Sequence, residues 1–220
     1  ALMALASALL APRGWRLAAT ATVTALAAGA SVDLLAGSAG LSMQNGATVQ
    51  AAATARLQSA GDMSLARVEA NQVGLIATGV ISDAQAASAT TANIVAQALR
   101  LDVGGAGESG NALELQVPLF SANVGAAGLV LRSVADVVVG TTNSMTVQRV
   151  DVTAQSLQAV TDDSQSGLTS VGQVVWNNAS TAGSDVSLTQ AGTCQQCLCG
   201  WVFERCKCGR GLAVIAARFG

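Results

Sequence analysis

The chain has 220 residues and a net charge of −2, which gives no basic field, so nucleic acid is not an expected partner. Charged residues make up 11% and aromatics 3%, and there is neither His nor Tyr, so Ser–His and Cys–His nucleophile pairs are excluded. A hydrophobic content of 51% is too high for disorder, yet no apolar run reaches the ~20 residues that a membrane-spanning helix needs.

Residues 1–11, ALMALASALLA, are good helix formers halted at Pro12 and Gly14, so 1–19 reads as a short helical or irregular lead-in. A start at Ala1 rather than Met suggests an internal piece of a longer protein. Arg13 and Arg16 before the apolar stretch 17–30 also resemble, loosely, the charged and apolar regions of a secretory signal. The lead-in is the preferred reading. Over 20–26 apolar and polar residues alternate, which predicts a strand.

From Gly29 onward one pattern recurs: GASVDLLAG, GLSMQNG, GATVQAAA, GDMSLARVEANQ and GLIATG. Each begins with Gly and continues through a small or polar residue into apolar-x-apolar. The densest part is 46–81. There Val49 and Ala51, Leu57, Met63 and Leu65, Val68, and Val73 and Leu75 each occupy the apolar phase of a very short alternation. Successive runs lie too close for ordinary hairpins or for crossover helices. A chain that turns this often fits a coil closed by about three strands, stacked on its neighbours at ~4.8 Å. That is a parallel β-helix, in which every coil buries its inward side chains on the coils above and below.

Residues 84–92, AQAASATTA, read as a low-complexity bend or small excursion. Leu99, Leu101 and Val103 then point inward, with Arg100 and Asp102 outward. The stretch 104–111, GGAGESGN, reads as an irregular turn because of its glycines. Leu113, Leu115, Val117 and Leu119 alternate with Glu114, Gln116 and Pro118, and Pro118 must sit where no ladder donor is required. Leu129 and Leu131, Val137 and Val139, and Met145 and Val147 read as further rungs. Between 153 and 184 the pattern loosens around Trp176, and Val186 with Leu188 restores a strand.

The succession GDMSLARVEANQVGLIATGVISDA, followed by NIVAQALRLDVGGAGESGNALELQVPLFSANVGAAGLVL, resembles the repeat region of filamentous-haemagglutinin-like bacterial exoproteins and adhesins. That family has a similar G-(D/N)-(I/M/V)-x-L rung, matched from Gly61 to Leu65, and a G-x-I-x-D-A step, matched from Gly79 to Ala84. Its L-R-L…N-x-L-E-x-Q-V segment is matched over 99–117. The resemblance covers roughly 20–190. It implies a right-handed coil, secretion or surface exposure, and adhesion to receptors or glycans on host or neighbouring cells.

The last segment is unlike the rest. TCQQCLCGWVFERCKCGRG holds all five cysteines, Cys194, Cys197, Cys199, Cys206 and Cys208. Three readings stand side by side: tetrahedral thiolate ligation of zinc, disulfides with one thiol left over, and a tail that is not native to the domain or is unstructured. Other chemical candidates have turn explanations. The stretch from Gly104 to Ser109 resembles a calcium-binding Gly-rich repeat but has a single copy and Ser109 where Asp belongs. Asp33, Asp62, Asp83 and the pair Asp162 and Asp163 are carboxylates on paper for glycoside chemistry, with Asp162 and Asp163 reading as a solvated turn. Asn178-Ala179-Ser180 fits a glycosylation acceptor, which the resemblance to bacterial exoproteins implies is a coincidence.

The sequence therefore predicts an all-β, right-handed parallel β-helix over 20–192 after the lead-in, with the Cys-rich tail at 193–220. Eight or nine coils of ~20 residues would make a rod near ~40 Å. The expected role is structural and adhesive, without enzymatic activity, cofactor or metal, and with adjacent repeats of a longer chain as neighbours. The alternative is a secreted β-helix that binds or cleaves polysaccharide. Exposed ends of such a rod invite edge pairing, so the isolated segment should tend to aggregate.

Overall fold

The computed structural model describes residues 9–11, 14–87, 91–150, 156–178, 186–190 and 213–217. It is all-β, with no helix among the described residues, and its main sheet is built almost entirely of parallel pairings. Each coil has three faces, built from three short strands in the lower coils and from longer strands that turn a corner, such as Gln72–Asp83 and Leu119–Ser133, higher up. Ser31–Ala36, Leu41–Met43 and Thr48–Ala51 form one, and Thr54–Ser59, Met63–Leu65 and Arg67–Glu69 form the next directly on top. The fold is a parallel β-helix, as the alternations predicted.

Register makes the core one continuous column system. On the first face Val32, Ala55, Val73, Leu99, Phe120 and Val139 stack in turn. On the second, Leu41, Met63, Ile81, Ala106 and Leu129 do the same. On the third, Val49, Val68, Ile94 and Leu115 follow. All of these side chains are buried. A fully buried aliphatic side chain contributes roughly 1.5–3 kcal/mol, and each coil supplies several that no single coil could shield alone.

The coil closes every 18 to 26 residues: Ser31 pairs with Thr54, Thr54 with Gln72, Gln72 with Ala98 and Ala98 with Leu119. One continuous, all-parallel register column runs Leu9, Leu34, Leu57, Leu75, Leu101, Ala122, Leu168. Seven levels at ~4.8 Å span about 29 Å. This is shorter than the sequence estimate because the turns between strands lengthen some coils and the described residues 141–150 and 156–166 leave the ladder.

One corner explains the recurrent Gly. Gly40 has φ +82°, and a Cβ there would lie 2.5 Å from the Asp62 carbonyl oxygen of the next coil. Higher up the same edge, a Cβ on Gly104 would stand 2.8 Å from the Gly79 carbonyl oxygen. Backbones of successive coils touch here, and only a residue without Cβ fits. The first three residues of GGAGESGN accordingly continue the strand Ala98–Ala106, where a turn was expected, and the turn itself is confined to the bridge between Glu108 and Asn111.

Several expectations are corrected. Within the lead-in, Leu9–Ala11 and Trp15–Leu17 are strands paired with Ser31–Ala36 and Leu41–Met43, so the ladder begins before residue 20. Burial of Leu17 and Ala25 ties the apolar stretch 17–30 into the first coil, whereas Leu26 is 61% exposed. The alternation from Leu113 to Leu119 breaks at Pro118, which lies at a corner. Its carbonyl accepts from the Val138 N–H, and beyond it the inward position passes from Leu119 to Phe120. Met145 and Val147 are buried but form no rung. They belong to Met145–Val150, which pairs antiparallel with Leu157–Asp162 in a hairpin outside the coil. Period-two alternation is the same for a rung and for a hairpin lying on a sheet. Val186–Gln190 does return to the ladder, in parallel with Val137–Val139.

Candidate functional site

Three places on this scaffold carry chemistry. The first is the outer face of the first sheet, where register sets Asp33, Arg56, Gly74, Arg100 and Ser121 in one outward column. The hairpin lies across it. Gly74 leaves the space that the Met145 side chain fills, since a Cβ there would approach the Met145 methyl to 2.3 Å. Arg56 holds the Asp162 carboxylate with two hydrogen bonds, Nε–H at 2.7 Å and Nη2–H at 3.1 Å, and reaches Asp33 at 3.2 Å. Arg149 closes on the other side of Asp33 with bonds of 2.6 and 3.1 Å. Arg100 donates to the Asp163 carbonyl, and Gln165 donates to the Leu101 carbonyl.

Asp33 has a fully buried side chain inside this network, and that of Arg56 is 5% exposed. Burial alone lowers the Arg56 pKa, but the hydrogen bond and charge of Asp162, joined by Asp33, outweigh it and raise the net value. Asp33 and Asp162, two of the carboxylates named as glycoside candidates, are thus brought to one guanidinium and held as its counter-ions. Asp162 is half-buried in a strand, where a solvated turn was expected. Asp62 keeps its turn role: its carboxylate accepts the Val80 N–H at 2.8 Å.

The second place is a corner between the second and third faces. Asp83 is 8% exposed and Glu114 3% exposed. Asp83 Oδ1 accepts from the Gln85 N–H at 2.7 Å and from the Asn93 amide. Asn93 is fully buried. Its amide also donates to the carbonyls of Leu65 and Ala66, and its Oδ1 accepts the Glu114 N–H at 2.8 Å. Asn111 donates from Nδ2 to the carbonyls of Asp83 and Gln85. Burial first, and then the neighbouring Asp83, push the Glu114 carboxyl up to about 7, against the lowering influence of Arg132. Glu114 was assigned only to an outward face by its alternation, and nothing in its neighbours in sequence marks it as buried.

A pH dependence follows with a definite sign. A carboxyl that titrates near 4.5 when unfolded and at about 7 when folded favours the folded state most fully below pH 4.5. That stabilisation is lost as pH rises toward 7. After a discount for solvent screening we expect about 2 kcal/mol. The check is urea unfolding of the chain and of Glu114→Gln between pH 4.5 and 8 in chelating buffer. The parent should lose stability relative to the variant across that window. A constant difference would contradict the assignment.

The third place is a shallow groove of about 340 Å³ on the third face, lined by Leu26, Gln50, Glu69, Asn71 and Gln97 among others. Its one carboxylate, Glu69, is 3.2 Å from Arg67.

Among the described residues no three His, Cys, Asp or Glu converge as a metal cluster, and no helix is long and apolar enough to cross a membrane. The zinc candidates Cys194, Cys197, Cys199, Cys206 and Cys208 lie outside the described residues, as do Ala179 and Ser180 of the glycosylation triplet. Arg56, Arg149, Asn93, Asn111 and Glu114 were missed by sequence reasoning. An Arg in the outward phase of a short strand resembles any surface Arg until the partner that covers it is known. The chain matches no protein-family model, no curated protein and no solved structure.

Proposed function

We propose that the chain is a structural and adhesive segment of a secreted or cell-surface bacterial exoprotein of the filamentous-haemagglutinin-like kind. In this reading it is a rigid rod presenting repeated side chains to receptors or glycans. The observation that supports this most is the outward register column Thr24, Gln50, Glu69, Val95, Gln116, which repeats a mostly polar position from coil to coil. Many similar weak sites on one stiff body favour multivalent attachment. The carboxylates that would serve catalysis on the first face are engaged by Arg56 and Arg149, which favours a non-enzymatic role. Longer rods would form by stacking of adjacent repeats on the coil ends.

The groove at Gln50, Glu69, Asn71 and Gln97 favours a second reading, polysaccharide binding without cleavage, since amide and carboxylate groups suit sugar hydroxyls and one carboxylate is too few for hydrolysis. Both readings are tested by coating beads with the chain and measuring retention on cultured host cells and on glycan-coated surfaces. Adhesion predicts coated beads held about 10²–10⁴-fold more tightly than the soluble chain. Retention equal to that of uncoated beads would overturn it. Binding by the soluble chain that disappears in Gln50→Ala/Gln97→Ala would favour the polysaccharide reading.

A further inference from the structure

The corner at Asp83 and Glu114 poses a separate question. Three oxygens there are buried without a hydrogen-bond partner among the described residues: Asp83 Oδ2, Asn111 Oδ1 and Glu114 Oε2. Buried polar atoms are nearly always satisfied, so three acceptors in one corner call for an explanation. The donors nearby are already committed. The Gln85 N–H and the Asn93 amide serve Asp83 Oδ1, the Glu114 N–H serves Asn93 Oδ1, and the Asn111 amide serves two carbonyls. The Asp83 and Glu114 carboxyls lie within hydrogen-bond reach of each other, so these oxygens, from two carboxylates and one side-chain carbonyl, are left to share either one proton or one cation.

Their placement is built into the fold. Asp83 ends the long strand Gln72–Asp83, Asn111 belongs to the turn bridged by Glu108 and Asn111, and Glu114 lies in Leu113–Gln116. Asn93 cross-links two of these elements through its bonds to Asp83 and to the Glu114 backbone, so the oxygens are held by the ladder. Both carboxyl-bearing residues are more than nine-tenths buried. Arg132, in register beside Glu114, is the neighbouring positive charge, and it offsets one of the two negative charges.

We propose that Asp83, Asn111 and Glu114 form a site for a hard divalent cation of the calcium class, which ties the turn before Leu113 to the coil below. Calcium takes carboxylate and amide oxygens, tolerates irregular geometry and completes its six to eight ligands with water and backbone carbonyls. With two carboxylates and a neighbouring Arg, the affinity belongs in the weak range of extracellular modules, about 10⁻⁴–10⁻³ M. This site is distinct from the Gly-rich repeat considered at Gly104 to Ser109, which contributes none of the three side chains.

The test uses the full chain and calcium itself, because the thiolates of the Cys-rich tail favour soft metals over calcium. Calorimetric titration with CaCl₂ should give one site in the stated range. The melting midpoint should rise by about 3–6 °C at roughly ten times Kd. Asp83→Asn and Glu114→Gln should each weaken binding at least tenfold. A Gln at 114 can donate to Asp83, which keeps that variant folded, and its fold is verified by circular dichroism. Absence of calcium binding by the parent chain would overturn the proposal, as would binding that survives in both variants.

Discussion

Replacing Arg56 with Met should destabilise the chain by about 3–5 kcal/mol and release the hairpin from the first sheet. The Arg56 guanidinium sits between two carboxylates, Asp162 at 2.7 Å and Asp33 at 3.2 Å, and also donates to Gln58 at 2.9 Å. Without it, fully buried Asp33 keeps only Arg149 among the described residues, and Asp162 loses its bidentate partner. An uncompensated charge in that space is what makes the loss large, since an intact pair is worth much less than the cost of breaking it. The double variant Arg56→Met/Asp162→Leu should recover part of the loss, giving a coupling energy in the range of about 0.5–3 kcal/mol found for contacting residues. Urea unfolding gives the energies, and limited proteolysis within 145–162 reports release of the hairpin. A cost for Arg56→Met below about 1 kcal/mol would place the pairs in the range of exposed surface salt bridges, and the hairpin would then not be clamped by charge.

The second large effect is expected at Phe120. Its side chain is fully buried, in register between Leu99 and Val139, and its ring meets Trp176 edge-to-face with centroids 5.0 Å apart at 81°. Phe120→Ala should cost about 3–5 kcal/mol, the transfer of a large ring plus the cavity it leaves. Beyond area, the aromatic pair adds about 0.5–1.5 kcal/mol, which a cycle with Trp176→Leu isolates. Trp176 also donates from Nε1 to Ser133 Oγ at 3.1 Å, so loss of the ring contact should loosen the strand Val174–Asn178 and shift the indole emission to the red. A cost under about 1 kcal/mol would mean that the upper coils repack freely around the missing ring.

These two positions also show how far the sequence could be read. The inward residues of 46–81 were legible because each short alternation has one apolar phase, and stacking gives that phase only one place to go. The repeated Gly was legible as punctuation, though its reason, the approach of Gly40 to the Asp62 carbonyl, is a contact between coils. Phe120 was hidden by Pro118, which makes a corner and reverses the phase while the apolar residues continue without a break. The hairpin was hidden for a different reason. Met145 and Val147 alternate like a rung, and only the antiparallel pairing with Val160 and Asp162 distinguishes the two. The carboxylates were visible as residue types, but their fates depend on Arg56 and Asn93, respectively 106 residues from Asp162 and 21 residues from Glu114. Such distances in sequence leave no local periodic trace.

The central claim is that successive coils stack in register, so that outward positions recur along one line. Spin labels at Thr24→Cys and Gln116→Cys, with the native cysteines changed to Ser, test it by a pulsed dipolar distance. The two positions are four register steps apart, through Gln50, Glu69 and Val95. Four steps at ~4.8 Å put the backbones about 19 Å apart. A narrow distribution near that value, broadened by the label arms, is the predicted result. A distance beyond about 30 Å, or a broad one typical of an unfolded chain, would contradict the stacked coil.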